Sequence, residues 1–171
     1  LELRCNGDAR NTGALGGEAR LEEYASDEGP AYTLGALGAA IDFAAASRSG
    51  GRTTDPAGGA ALFTDPRLAG LSQVTLSLWF LPVDDDGPAR LLYLPGEWDV
   101  IFSGGRVNFT VESGGEDHHF AMDRAAPNVE LDECTLLAIT ADFATGTGAM
   151  YLGTRSEPPA CVTTWEGLPP T

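Results

Sequence analysis

An antiparallel, all-β sandwich of two sheets is the fold class this sequence predicts, and three observations carry the prediction. The stretch Gln73 to Pro82, QVTLSLWFLP, keeps a clean two-residue period: Val74, Leu76, Leu78 and Phe80 fall on one side of an extended strand, Thr75, Ser77 and Trp79 on the other. One apolar face opposite a small, polar face with a single indole describes a strand whose sheet packs on one side only. Segments of this kind recur about every ten residues, divided by turn residues and without a helical period. The 22 Gly and 11 Pro supply many turns and disfavour long helices. A chain of 171 residues fits one domain, 1–171, large enough to bury about two-thirds of its unfolded surface.

In chain order, Leu1 to Cys5 reads as a short strand, followed by the turn-rich NGDARNTGALGG. Glu18 to Tyr24 resumes a strand. After the acidic SDEGP turn, Tyr32 to Gly38 leads into Ala39 to Phe43, and Ser47 to Gly59 is a polar, Gly-rich connection. Thr64-Asp65-Pro66 offers an N-cap and a first-turn proline for a single helical turn that delivers the chain to Gln73. Beyond the Asp84-Asp85-Asp86-Gly87 loop come Ala89 to Leu94, Trp98 to Ser103, a Gly104-Gly105 hairpin turn and Arg106 to Glu112. In this last strand Val107, Phe109 and Val111 face inward, leaving Arg106, Asn108, Thr110 and Glu112 outside. Ser113-Gly114-Gly115 turns into Asp117 to Asp123, where His118, Phe120 and Met122 share a face. Thr135 to Phe143 is nearly all apolar and is the natural partner of the Gln73 strand in the middle of a sheet. Ala149 to Gly153 follows, and Cys161 to Trp165 is a short final strand.

Composition narrows the function classes. There are 25 acidic residues against 10 basic ones, all of them Arg, and the formal net charge is −15. Such a surface repels phosphate backbones, which argues against nucleic acid and anionic membranes as partners. No apolar run is long enough to span a bilayer. The chain starts at Leu1 in strand-like sequence, as a removed leader or an expression boundary would explain. Cys5, Cys134 and Cys161 are far apart and lack CxxC spacing, which suits one disulfide and one buried thiol in an exported protein.

The order AAIDF, VTLSLWF, RLLYLPGEWDVIFSGGRVNFTVE and TLLAITADFATGTGAMYLG resembles the laminin-G-like modules of the concanavalin A-like lectin/glucanase superfamily. Gly38, Ala40, Phe43, Thr75, Ser77, Trp79, Ala138, Thr140, Asp142, Tyr151 and Gly153 carry the likeness, over residues 38–153. The resemblance implies a two-sheet jelly roll used for extracellular adhesion, sugar binding or surface assembly. Two departures stand out. Cys134 lies near where family members often place a Trp, and no segment after Gly153 matches the family's closing strand. Two accounts follow: either Cys161 to Trp165 closes the sheet, or the edge near Leu1 to Cys5 is completed by a partner, such as another copy of the chain. In a jelly roll the first and last strands often adjoin, so the resemblance favours a Cys5–Cys161 bridge, with Cys134–Cys161 as the alternative.

Glycanases of the superfamily carry E-x-D-x-x-E, as a retaining mechanism with carboxyls about 5 Å apart requires. Glu97-Trp98-Asp99 begins that pattern, but Phe102 replaces the proton donor, so the expectation is no enzyme, with a degenerate glycoside hydrolase as the alternative. Asp84, Asp85 and Asp86, with Glu116 and Asp117, are the candidate Ca²⁺ ligands at a rim where the family often binds that ion; a solvated acidic turn is the competing account. His118 and His119 face opposite ways and cannot grip one metal. No Ser/His/Asp triad and no phosphate loop can be assembled. Asn108-Phe109-Thr110 is a formal glycosylation sequon. The function expected is a non-catalytic extracellular or cell-surface binding or assembly module. Its partner is a glycan or a protein, met by Trp79, Arg106, Asn108 and Thr110, although Trp79 also suits a core place beneath a loop.

Overall fold

The computed structural model describes residues 16–17, 20–23, 31–35, 38–42, 59–62, 65–83 and 87–170. The chain divides into two compact units, Leu1–Pro66 and Arg67–Thr171. In the first, β1 (Arg20–Glu23) pairs antiparallel with β4 (Gly59–Leu62), and β2 (Ala31–Gly35) pairs antiparallel with β3 (Gly38–Asp42). The GAAL segment of β4 has no alternation of apolar and polar side chains, so periodicity does not reveal it. Leu1 to Cys5 lies outside the described residues.

The second unit is a pair of antiparallel four-stranded sheets. A single 3₁₀ turn, Pro66–Leu68, leads into β5 (Gln73–Phe80), as Asp65-Pro66 predicts. The first sheet has the order β12-β11-β10-β5, with β10 (Thr135–Asp142), β11 (Thr147–Thr154) and β12 (Ala160–Glu166). The second runs β6-β7-β8-β9, with β6 (Ala89–Leu94), β7 (Trp98–Ser103), β8 (Arg106–Ser113) and β9 (Glu116–Ala121). The chain therefore leaves β5 for the other sheet, completes a four-strand meander there, and returns to lay β10 beside β5.

The predicted pairing of β5 with β10 holds along its length, from Thr135 opposite Phe80 to Asp142 opposite Gln73. Among the described strands β10 is interior, between β11 and β5, and β5 has β10 as its one neighbour, so within this set the Gln73 strand is not the central one. Burial follows from this: Leu137, Ile139 and Ala141 of β10 are almost fully enclosed, whereas Val74, Leu76 and Leu78 of β5 are half-buried. Two hairpins form where glycine pairs predict them, with Gly104 and Gly105 at φ 57° and 71° and Gly114 and Gly115 at φ 62° and 82°. Positive φ at both central residues gives a turn whose twist matches that of the flanking strands, and glycine adopts it without a Cβ clash.

The core lies between the two sheets. Val107, Phe109 and Val111 of β8 are fully buried, as their alternation predicts, and meet Leu137, Ile139 and Met150 of the facing sheet. Aromatic contacts cross the interface: Phe80 to Phe102 at 5.8 Å between centroids, Phe109 stacked on Trp165 at 5.7 Å, and Phe120 tilted on Trp165 at 5.9 Å. Trp165 also donates its indole N–H to the Ala121 carbonyl at 3.2 Å. The final segment is thus a seven-residue strand on β11 that ties one edge of the first sheet to one edge of the second.

Asp142, part of the motif that carries the resemblance, has a structural task. Its Oδ1 accepts from the amides of Ala144 and Thr145, each at 3.0 Å, and its Oδ2 from Gln73 Nε2 at 2.7 Å. The Thr145 amide first, then the Gln73 amide, hold its carboxyl below the usual carboxylate range. A folded-state pKa below the unfolded one means that this contribution is complete above the ordinary Asp value and is lost as pH falls through the lowered value. Amide exchange at Thr145 should therefore accelerate, relative to Thr110 in the sheet interior, only on acidification past the ordinary Asp range. An acid-insensitive ratio would refute the cap.

Candidate functional site

The outward face of the second sheet is built from strands that each bury their other side. Its most informative strand is β6, whose register shifts between Arg90 and Leu92: Arg90 opposes Ile101, while Leu92 opposes Val100. Leu91 is the extra residue of a β-bulge. The bulge lets Leu91 and Leu92 both pack on the core, and it brings Arg90 and Tyr93 onto the same outward face. Strict alternation would have set these two on opposite sides.

On that face Arg90 Nε donates to Asp99 Oδ2 at 2.9 Å, Nη2 lies 2.8 Å from the same oxygen in an ion pair, and the Arg90 guanidinium lies 4.1 Å above the centre of the Tyr93 ring. The hydrogen bond to Asp99 raises the Arg90 pKa, desolvation opposes this, and the Asp99 charge adds to the rise. Asp99 Oδ1 is buried and has no hydrogen-bond partner among the described residues. Tyr93 stays 50% exposed, the most exposed large apolar residue among those described. Cross-strand register extends the set into a row, Tyr93 opposite Asp99, Asp99 opposite Thr110, and Thr110 opposite His119. Thr110 Oγ1 lies 3.1 Å from His119 Nδ1. A second row runs beside it through Arg90, Ile101, Asn108 and Ala121.

Of the residues predicted as ligand-binding, Asn108 and Thr110 are on this face. Arg106 is on the same strand but is committed elsewhere. It donates to the carbonyls of Met122 at 3.0 Å, Asp123 and Ala126 at 3.1 Å, and to Asn128 Oδ1 at 3.2 Å, and so holds the loop between β9 and β10 in place. Arg106→Met should destabilise the protein by on the order of 2 kcal/mol, the scale of charge-assisted bonds to carbonyls. Protease cleavage within 122–128 should appear first, and an unchanged cleavage pattern would count against the clamp. Trp79 is not with the others: it is half-buried on the outward side of β5, in the first sheet. The grouping of Trp79 with Arg106, Asn108 and Thr110 is corrected, because the outward faces of two packed sheets point in opposite directions.

The glycanase-like segment is equally committed. Glu97 Oε1 accepts from the Gly70 amide at 2.9 Å, Asp99 holds Arg90, and Phe102 is 2% exposed in the core against Phe80. His119 is exposed and His118 half-buried on the other side, as their alternation predicts.

Asp84, Asp85 and Asp86 of the predicted acidic rim lie outside the described residues. Glu116 and Asp117, the other two candidate ligands, open β9, paired with Ser113 and Glu112. Among the described residues no three His, Cys, Asp or Glu side chains are grouped to hold a metal. The first-choice Cys5–Cys161 bridge involves Cys5, which lies outside the described residues, while Cys134 and Cys161 are free thiols, so the alternative bridge between them is not formed. Cys161 Sγ instead lies 3.4 Å from the Thr163 carbonyl.

Another concavity is an open depression over the Gln73 end of β5 and the adjoining ends of β10 and β11. Thr75, Thr140, Thr147 and Ala149 are among its lining residues, and no aromatic ring is. No helix among the described residues is long and apolar enough to cross a membrane. Neither protein-family models, curated proteins nor solved structures provide a match to this chain.

Sequence reasoning missed Arg90 and Tyr93. Their signal is the Leu91-Leu92 doublet, two consecutive apolar residues in an otherwise alternating strand, where only a bulge lets both face the core.

Proposed function

We propose that this protein is a non-catalytic binding module that works outside the cell or at its surface, and that its binding face is the outward face of β6 to β9. The carrying observation is how the carboxylates of Glu97-Trp98-Asp99 are spent: Glu97 on the Gly70 amide and Asp99 on Arg90, beside a half-exposed Tyr93. A retaining glycosidase needs one free nucleophile and one protonated acid flanking the bond it breaks. Here one carboxylate is in an ion pair and the other caps a backbone amide, which suits a rigid recognition surface. The laminin-G-like resemblance of residues 38–153 points the same way, toward adhesion or sugar recognition through a glycan or protein partner.

Incubation with a panel of insoluble and soluble polysaccharides tests the proposal. Retention of the protein without release of reducing ends is expected. Reducing-end release that Asp99→Asn abolishes would overturn it in favour of a glycoside hydrolase.

A further inference from the structure

The geometry points to a ligand class for this face: a neutral di- or trisaccharide lying across the strands, with one pyranose ring stacked on Tyr93. The inference rests on the binding-module reading above and deepens it.

Tyr93 offers the stacking surface. One face of its ring is covered by the Arg90 guanidinium at 4.1 Å, and the ring is still 50% exposed, so its open side faces solvent. An aromatic ring with an open face accepts the apolar C–H side of a pyranose, while polar groups around it satisfy the hydroxyls. Arg90 supplies the first of those groups. Asp99 Oδ2 accepts from Nε and forms an ion pair with Nη2, while Nη1 has no hydrogen-bond partner among the described residues. Held by the fork and by the ring, that donor is pre-organised, and less rotamer entropy is lost when a ligand hydroxyl takes it. Asn108 has a side-chain amide without a hydrogen-bond partner among the described residues, in the same row as Arg90, and His119 is exposed at the far end of the Tyr93 row. Four strands at about 4.8 Å spacing set Tyr93 and His119 about 14 Å apart, room for more than one sugar ring.

Charge decides against the acidic glycans. The chain carries a formal net charge of −15, and Glu112 and Asp117 pair on the same face, one step beyond Thr110 and His119. The cation beside Tyr93, Arg90, is already paired with Asp99. A uronate or sulfate would meet repulsion without a free counter-charge, whereas a neutral polyol meets donors and acceptors alone.

Titration calorimetry with neutral hexasaccharides of β-glucan, xylan and mannan, and with oligogalacturonate and chondroitin sulfate oligosaccharides, tests the assignment. At least one neutral oligosaccharide is expected to bind. Tyr93→Ala should weaken it about tenfold, Tyr93→Phe should retain it within about twofold because the ring stays, and Arg90→Lys should weaken it about fivefold. Unchanged far-ultraviolet circular dichroism and urea midpoints are expected for all three, since Tyr93 and Arg90 are surface residues. Neutral-glycan binding indifferent to Tyr93→Ala would overturn this inference and leave the module reading standing. Binding confined to the anionic oligosaccharides would also overturn it. If no saccharide binds the wild-type chain, the inference fails together with the glycan form of the proposed function.

Discussion

Phe109→Ala is expected to destabilise the protein by about 3–5 kcal/mol, a large share of the roughly 5–15 kcal/mol that holds a domain folded. Phe109 sits in the middle of β8, is fully buried, and stacks on Trp165 with 5.7 Å between ring centroids and 22° between planes. The truncation removes more than transfer energy. It leaves a cavity between two sheets whose backbones are fixed by ladder hydrogen bonds and cannot collapse to fill it. It also frees the ring against which Trp165 is placed, and Trp165 carries the indole bond to Ala121 that links β12 to β9. Urea titration should show a lower midpoint, and amide exchange in β12 should rise more than in β7. A loss below about 1 kcal/mol would mean that the sheets do not meet at this residue.

Gly153→Ala should cost roughly 1–3 kcal/mol without removing any contact, because it overfills a closed space. Gly153 is buried on β11 opposite Leu136, and the loop after the strand folds back over it. A Cβ built there comes within 2.9 Å of Pro159 Cα and N and 3.1 Å of the Glu157 carbonyl. These are backbone atoms, so no side chain can rotate away. The loop is meanwhile held by Thr154, whose amide donates to the Glu157 carbonyl at 3.0 Å and whose hydroxyl accepts from the Glu157 amide at 3.2 Å. Either the loop lifts or the strand shifts. Thermal melting and exchange at Thr154 report the cost, and a melting temperature equal to wild type would refute the close approach.

Much of the second unit was legible in the sequence. The alternation in RVNFTVE gave the buried and outward sides of β8 correctly, since any half-buried strand separates its side chains by a period of two. The Gly104-Gly105 and Gly114-Gly115 turns followed from the need for positive φ, and the apolar run TLLAITADF identified its partner. The site was less legible. Asn108 and Thr110 were recovered because they share a strand whose alternation is regular. Tyr93 and Arg90 were not, because a bulge breaks the parity that alternation relies on. Arg106 was read as available because its position on the outward face is a property of the strand, whereas its bonds to four loop groups depend on where residues 122–128 come to rest. Trp79 was grouped with β8 for a similar reason, since facing outward is local but which sheet a strand joins is not.

The sequence alone determined the all-β class, the strand positions from Gln73 onward and the inward set of each regular strand, because these depend on neighbours a few residues apart. Tertiary structure alone decided the rest: that β10 and not β5 has a strand on each side among the described strands, and that Trp165 ties the two sheets together. Above all it decided that Arg90, Tyr93 and Asp99 meet on one face. Each of these depends on pairing between residues distant along the chain, which sequence periodicity does not encode.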